Sequence, residues 1–234
     1  DSYQKKPQNV SSGKIKYYFE SIKEDFQNYL NEENFDIGPM VYNKYRKLKE
    51  IKMQQWVDHN IKDPESVSEH LYSAWLLAVL FLPDELDSEG YCKKEILDML
   101  LVHDMAEAEL GIKMSGLNIS RRNIDDRNNV LKKLFLKGTY PDFANLTYYY
   151  NVWTGYYNGI NINSRTARDI NLIQTVYTFC EYYKCNPENF TVEDIRSWIG
   201  EKSNLMTEIG YEIFDRLIEN NSDFNGIIQQ IANC

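Results

Sequence analysis

One long apolar segment, SVSEHLYSAWLLAVLFL at residues 66–82, constrains the fold of this chain more than any other feature. Ser66 and Glu69, three residues apart, form a capping box, which is a signal for the start of a helix. The body that follows is nearly all apolar, as is typical of a helix buried on most sides. The segment is too short to span a membrane. We therefore expect a globular core built around this helix, and no membrane partner.

Further helical patterns extend this prediction to an all-α fold. KKEILDMLLVHDMAEAEL (93–110) predicts one continuous helix that Gly111 ends, and SRTARDINLIQTVYTFCEYYKC (164–185) predicts another long buried helix. QQWVDHNIKDPES is interpreted as a loop or short turn, RRNIDDRNNVLKKLFLKG as a charged surface helix, and Pro141 as the start of a short helix through Tyr150. Strand signals are scarce. We predict a disordered segment over 1–13, an N-terminal helical extension over 14–43, and a single helical domain over 44–234.

The charge and the cysteines exclude some classes of function. The 234 residues include 26 Lys and Arg against 35 Asp and Glu, giving a net charge of −9. Such a chain lacks the basic surface that duplex nucleic acid requires. The four cysteines show no paired spacing, which favours reduced thiols and a cytoplasmic location.

Two of the three histidines, His70 and His103, lie inside the two most apolar helices. Either one alone is more often a hydrogen-bonded core residue than a metal ligand. His103, however, is followed by Asp104, and a buried carboxylate needs a compensating cation or donor. A divalent metal would satisfy both; this donor set suits Mn, Fe, Co or Zn, with Mg less favoured. Glu107, one turn further on, would share their face and could deprotonate a water, although a solvated Glu is the default interpretation.

The motifs PESVSEH (64–70) and LLVHDMAE (100–107), with Trp56 14 residues before His70, resemble those of the HD-domain phosphohydrolases, and most nearly the 5'-deoxynucleotidase group. The resemblance covers about residues 44–185. It implies a single HD-domain helical bundle in which His70, His103 and Asp104 match three of the four metal ligands. It also implies that Glu107 acts on the attacking water. Trp56 would crowd the sugar 2' position, or else simply anchor its loop.

The resemblance is incomplete at three positions. The fourth metal ligand is an Asp, which the family pattern aligns with Asn171, whereas helix geometry favours Asp169 as the inward residue. The phosphate-binding Arg falls on Gln55, and Lys52, one turn earlier, could replace it only as a point charge. A second catalytic Asp falls on Ile112.

These features predict a metal-dependent phosphohydrolase that removes the 5'-phosphate from a deoxynucleoside monophosphate, a small-molecule substrate. One alternative is a catalytically altered HD fold that binds a nucleotide. A third is a phosphodiesterase or diphosphatase of a signalling nucleotide. We expect a homodimer, the default for such enzymes. The tyrosine-rich segment 147–157 is interpreted as core packing rather than as a stacking wall for a base.

Overall fold

The structure of the protein is a computed structural model that describes residues 42–43, 45–86, 88–110, 121–132, 144–224 and 226–227. All of them lie within one compact unit, residues 41–234. The predictions for residues 1–41 fall outside the described residues, as do those for Gly111 and Ile112.

The described residues form nine α-helices and no strand, as predicted for an all-α fold. The helices are α1 (Gln54–Asp58), α2 (Val67–Phe81), α3 (Lys93–Val102), α4 (Glu107–Leu110), α5 (Arg121–Leu131), α6 (Ala144–Asn158), α7 (Ile162–Cys185), α8 (Val192–Gly200) and α9 (Glu208–Phe214). Short 3-10 segments cover Lys47–Lys49, Pro187–Asn189, Glu201–Asn204 and Ser222–Phe224, and a π-helical turn covers Asp215–Glu219. None of the described helices is long and apolar enough to cross a membrane.

Helix α3 lies at the centre of the bundle and packs against α2, α6 and α7, while α7 also contacts α2, α6 and α9. The inward residues of α3, which are Ile96, Met99 and Leu100, have no exposed surface. The central position of α3 explains its apolar sequence. Because α3 is central, His103 and Asp104, which follow its last residue, lie towards the interior of the bundle.

The predicted capping box at the start of α2 is confirmed. The Ser66 hydroxyl accepts the Glu69 N–H, and the Ser66 N–H donates to Glu69 Oε2 over 2.6 Å. A second capping box, formed by Thr191 and Asp194, begins α8 in the same way. The first box fixes the register of α2 one turn before His70.

The prediction of one continuous helix through residue 110 is wrong, because α3 ends at Val102 and a turn separates it from α4. The Glu107 N–H donates to Asp104 O over 3.0 Å, the short spacing of a tightened turn, rather than to the carbonyl of His103.

Side chains from the bundle explain this break. The carbonyl oxygen of His103 instead accepts hydrogen bonds from Trp153 Nε1 (3.0 Å) and the Tyr157 hydroxyl (3.3 Å), both on α6. His103 Nδ1 lies 3.0 Å from the carbonyl of Leu100, which would otherwise serve the next turn. Tertiary hydrogen bonds thus replace the helical ones at the point where the functional side chains are presented.

Three smaller predictions also need correction. Residues 54–58, expected in a loop, form α1. Helix α6 continues to Asn158, well beyond Tyr150. Helix α5, expected at the surface, buries Leu131 completely, and the side chain of Arg127 is only 12% exposed.

Candidate metal centre

The structure brings His70, His103 and Asp104 together from α2 and the end of α3. One potential ligand atom from each residue lies within 4.8 Å of the others, and among the described residues this is the group that could hold a metal ion. His103 Nε2 is 3.5 Å and His70 Nε2 is 3.9 Å from Asp104 Oδ2. Both imidazoles are 2% exposed, and Asp104 is half-buried.

The chemistry of His103 fits a metal ligand. Burial lowers its pKa, a direction that Asp104 opposes, so the ring is held in its neutral form. A proton on Nδ1, shared with the Leu100 carbonyl, leaves the lone pair on Nε2. Among the described residues, buried Nε2 has no hydrogen-bond partner. A divalent cation would satisfy this atom together with the Asp104 carboxylate.

Asn171, on α7, lies beside the same imidazole. Its side chain raises the pKa of His103 because it can accept a hydrogen bond from the protonated ring, a bond that the neutral ring does not make. Its Nδ2 donates to the Tyr156 hydroxyl over 3.2 Å. The buried Oδ1 of Asn171 has no hydrogen-bond partner within the described ranges. An unsatisfied amide oxygen is therefore next to the unsatisfied nitrogen of His103.

Asp169 is placed differently, although it is only two residues earlier on α7. Its carboxylate accepts hydrogen bonds from the N–H of Met206 (2.9 Å), the N–H of Thr207 (2.8 Å) and the Thr207 hydroxyl (2.6 Å). It packs so closely against α9 that a Cβ added to Gly210 would lie 2.4 Å from Asp169 Oδ2. Asp169 does not belong to the group formed by His70, His103 and Asp104.

Glu107 begins α4 and is 3% exposed. Burial raises its pKa to about 7, with a further contribution from Asp104 and an opposing one from Arg127. Arg127 Nε donates to Glu107 Oε1 over 2.7 Å, and Arg127 Nη2 lies 2.5 Å from the same oxygen. Sequence reasoning did not identify Arg127. The i, i+4 spacing of Arg127 and the apolar Leu131 could have indicated that Arg127 lies on the inward face of α5.

Glu65 is a second residue that the sequence analysis did not assign, although it stands within the PESVSEH motif. Its Oε1 accepts the Trp56 indole N–H over 2.9 Å and lies 3.8 Å from His70 Nδ1. Trp56 is completely buried and packs against Tyr182 and Trp198. Trp56 is therefore hydrogen-bonded to Glu65, whose carboxylate lies near His70 of the candidate metal centre.

The other residues expected to contact substrate lie around α1. Lys52 Nζ donates to Asp63 Oδ1 (3.1 Å) and to the carbonyl of Pro64 (2.7 Å). It lines a polar cavity of about 280 Å³ with Glu65 and Glu69, and none of the three metal-group residues lines this cavity. Gln55 is half-buried on α1.

Part of the tyrosine-rich segment lies on the inward face of α6, while Tyr148 is exposed. Trp153 and Tyr156 are 1% and 6% exposed. The Tyr156 ring centroid lies 4.9 Å from that of His103. These aromatic rings pack around the metal centre and shield His103 from water.

The HD domain family matches residues 45–210, which is most of the chain. The chain belongs to this family. A 5'-deoxynucleotidase HDDC2 of Dictyostelium discoideum is 38% identical over 68 residues, covering 28% of this chain and 36% of the relative. The protein of the same name in Danio rerio is 27% identical over 135 residues, covering 58% of this chain and 64% of the relative. The chain thus spans between about a third and two thirds of the length of these relatives.

Two solved structures have the same fold. The HD domain-containing protein YGK1 aligns with a TM-score of 0.59 at 15% identity, over 87% of this chain and 94% of its own. A protein of Magnetospirillum magnetotacticum, described as a predicted metal-dependent phosphohydrolase, aligns with a TM-score of 0.58 at 17% identity, over 83% of this chain and 92% of its own. These likenesses concern the fold alone.

Proposed function

We propose that this chain is a metal-dependent phosphohydrolase that releases inorganic phosphate from a deoxynucleoside 5'-monophosphate. The convergence of two buried imidazoles and Asp104 beside the buried carboxylate of Glu107 carries the proposal. The names of the relatives, which are 5'-deoxynucleotidases, support the choice of substrate. A nucleotide binds as a small molecule, consistent with the acidic composition.

His70, His103 and Asp104 would hold the ion, with the amide oxygen of Asn171 as the fourth ligand in preference to Asp169. The unsatisfied Oδ1 of Asn171 and the occupied carboxylate of Asp169 support this choice. Mixed imidazole and oxygen donors suit Mn, Co, Fe or Zn, and leave Mg less favoured. When bound, such an ion supplies Lewis acidity and lowers the pKa of a water molecule.

Glu107 is the proposed general base. A water oxygen attacks phosphorus and its proton passes to Glu107, while the bond between phosphorus and the nucleoside oxygen breaks. The proton taken up by Glu107 then passes to the nucleoside oxygen, which leaves as an alcohol, so the products are a nucleoside and inorganic phosphate. A base works best when its pKa is near the working pH, and the pKa of Glu107, about 7, meets this condition.

The roles of Trp56, Gln55 and Lys52 remain proposals of different kinds. Trp56 has no exposed surface, so we propose that it acts through Glu65 on His70 rather than by touching the sugar. Gln55 and Lys52 would contact the nucleotide from α1 and the segment before it. Lys52 would first have to leave Asp63, and as a point charge it offers less geometric selectivity than a guanidinium.

We further propose that the chain acts as a cytoplasmic homodimer. Cys92, Cys180 and Cys185 are free thiols, as expected in a reducing compartment. A twofold dimer is the most frequent assembly among soluble enzymes. Light scattering after size-exclusion chromatography tests this assignment, and a monomer mass near 27.6 kDa would contradict it.

The proposed activity is tested by a screen of nucleoside mono-, di- and triphosphates with added Mn, Co, Fe, Zn or Mg and identification of every product. We expect phosphate release from deoxynucleoside monophosphates that Glu107→Gln abolishes. Pyrophosphate or a dinucleotide product would favour the diphosphatase or phosphodiesterase alternative. Nucleotide binding without turnover would favour the catalytically altered protein, an alternative motivated by Gln55, Ile112 and Asn171.

A further inference from the structure

A largely buried arginine contacts Glu107, beside the candidate metal centre. Arg127 projects from α5 with its side chain 12% exposed, and its Nε and Nη2 both contact Glu107 Oε1. The described contacts to Glu107 engage two of the five N–H donors of a guanidinium and only one of the two carboxylate oxygens. The pair is therefore not the bidentate arrangement that a purely structural Arg–carboxylate pair favours.

The surroundings of Arg127 keep it charged. Burial alone lowers its pKa, but Tyr157, Glu107 and Asp104 oppose this effect, and the net direction is upward. Arg127 is thus close enough to both site carboxylates, Glu107 and Asp104, to interact with them electrostatically. A buried ion pair adds little to stability on its own, so stability is a weak reason for placing a cation here.

We propose that Arg127 binds the phosphoryl group of the substrate, a phosphomonoester dianion. This inference rests on the proposed function and assigns that site its anion-binding residue. A dianion entering beside Asp104 and Glu107 meets two negative charges, which a neighbouring guanidinium offsets. Gln55 carries no charge. Lys52 is engaged by Asp63 and Pro64 and lines a cavity to which none of His70, His103 and Asp104 contributes.

The competing explanation is that Arg127 only positions Glu107. The two roles differ in what they predict for anion affinity. A positioning residue affects turnover and leaves the binding of free phosphate unchanged. A phosphate ligand loses affinity when the guanidinium is removed, whether or not Glu107 is present.

The experiment measures the Kd of inorganic phosphate by calorimetry on Mn-loaded protein. The variants are Arg127→Met, Arg127→Lys and Glu107→Gln. Arg196→Met serves as a matched control, because Arg196 is an exposed arginine that is also paired with a carboxylate, that of Glu193, at 3.9 Å. Circular dichroism and Mn affinity verify that each variant is folded and loaded. Arg127→Lys provides a milder change if Arg127→Met fails to fold.

We expect Arg127→Met to raise the Kd of phosphate at least tenfold and Arg127→Lys to raise it by an intermediate factor. Glu107→Gln should bind phosphate as tightly as the wild type or more tightly, and Arg196→Met should not differ from it. Wild-type affinity in Arg127→Met and Arg127→Lys, or no phosphate binding by the wild type, would overturn the inference. Absence of turnover with phosphate binding that depends on Arg127 would instead contradict the proposed activity alone.

Discussion

In the proposed ligand set, residue 171 decides whether the fourth ligand is neutral or charged. Asp104 supplies the single carboxylate of the proposed ligand set, and Asn171 adds a neutral oxygen. Replacing Asn171 by Asp adds a second negative ligand, so we expect Asn171→Asp to tighten Mn binding on the order of tenfold, because ligand charge governs affinity for hard cations. Calorimetric titration with Mn measures the change.

Asp169→Ala is the matched counterpart two residues away. It removes the acceptor for the N–H groups of Met206 and Thr207, so we expect a loss of about 2 kcal/mol or more in the free energy of unfolding. Mn affinity should remain at the wild-type value. A large loss of Mn affinity with unchanged stability would show that Asp169, rather than Asn171, holds the ion.

Sequence alone could not choose between these two positions, for a physical reason. Helical periodicity placed Asp169 inward, and it is indeed buried at 1% exposure. Its partners, however, are backbone N–H groups nearly forty residues later in the chain, and no local pattern reports them. The family pattern favours Asn171 instead, and Mn binding by the two variants tests that choice.

Glu107 makes the stability of the metal-free protein depend on pH. Its pKa is about 7 in the folded chain against 4.5 ordinarily, chiefly because it is buried. Between these values the folded state binds more protons than the unfolded state. The contribution of Glu107 to the free energy of unfolding therefore falls as the pH rises from about 4.5 to about 7 and then levels off.

Urea unfolding with a chelator at pH 5 and pH 8 measures this effect. The wild type should lose more stability between the two pH values than Glu107→Gln, which cannot titrate at this position. Because the other titrating groups are common to both proteins, the difference between them isolates Glu107. Equal pH dependence in the two proteins would contradict the assignment.

At the scale of the helix, the break after Val102 is what gives the site its shape. The sequence 93–110 has the spacing of one helix, and its first ten residues form α3 as predicted. The turn that follows depends on Trp153 and Tyr157, about fifty residues later in the chain, which donate hydrogen bonds to the carbonyl oxygen of His103. Local propensity therefore located the helix, while tertiary hydrogen bonds decided where it ended.

The capping box of α2 provides a prediction for this element. Ser66→Ala should cost about 1 kcal/mol in the free energy of unfolding, the usual effect of losing an N-cap hydroxyl. Because His70 lies one turn inside α2, the same change should also weaken Mn binding. Thr191→Ala, in the equivalent box of α8, should cost a similar free energy without changing Mn affinity. An equal Mn affinity in both variants would contradict the expected effect of the Ser66 cap on the metal centre.

At the scale of the whole molecule, the ion would link α2, the end of α3 and α7. An ion that binds only the folded chain stabilises it by mass action, by about 2.7 kcal/mol at a concentration of 100 Kd. For a chain of this size, that corresponds to a rise in Tm of roughly 5–10 °C. Thermal unfolding with Mn and with chelator tests this expectation, and a Tm that ignores Mn would contradict it.

The most direct test of the account is an equilibrium titration of chelator-treated protein with Mn, carried out on the wild type and on Asp104→Ala. We predict a single bound ion per wild-type chain, because the potential ligand atoms of His70, His103 and Asp104 lie within 4.8 Å of one another. The same arrangement predicts binding at least tenfold weaker in the folded variant. A wild type that takes up no ion, or a variant that binds as the wild type does, would contradict the account.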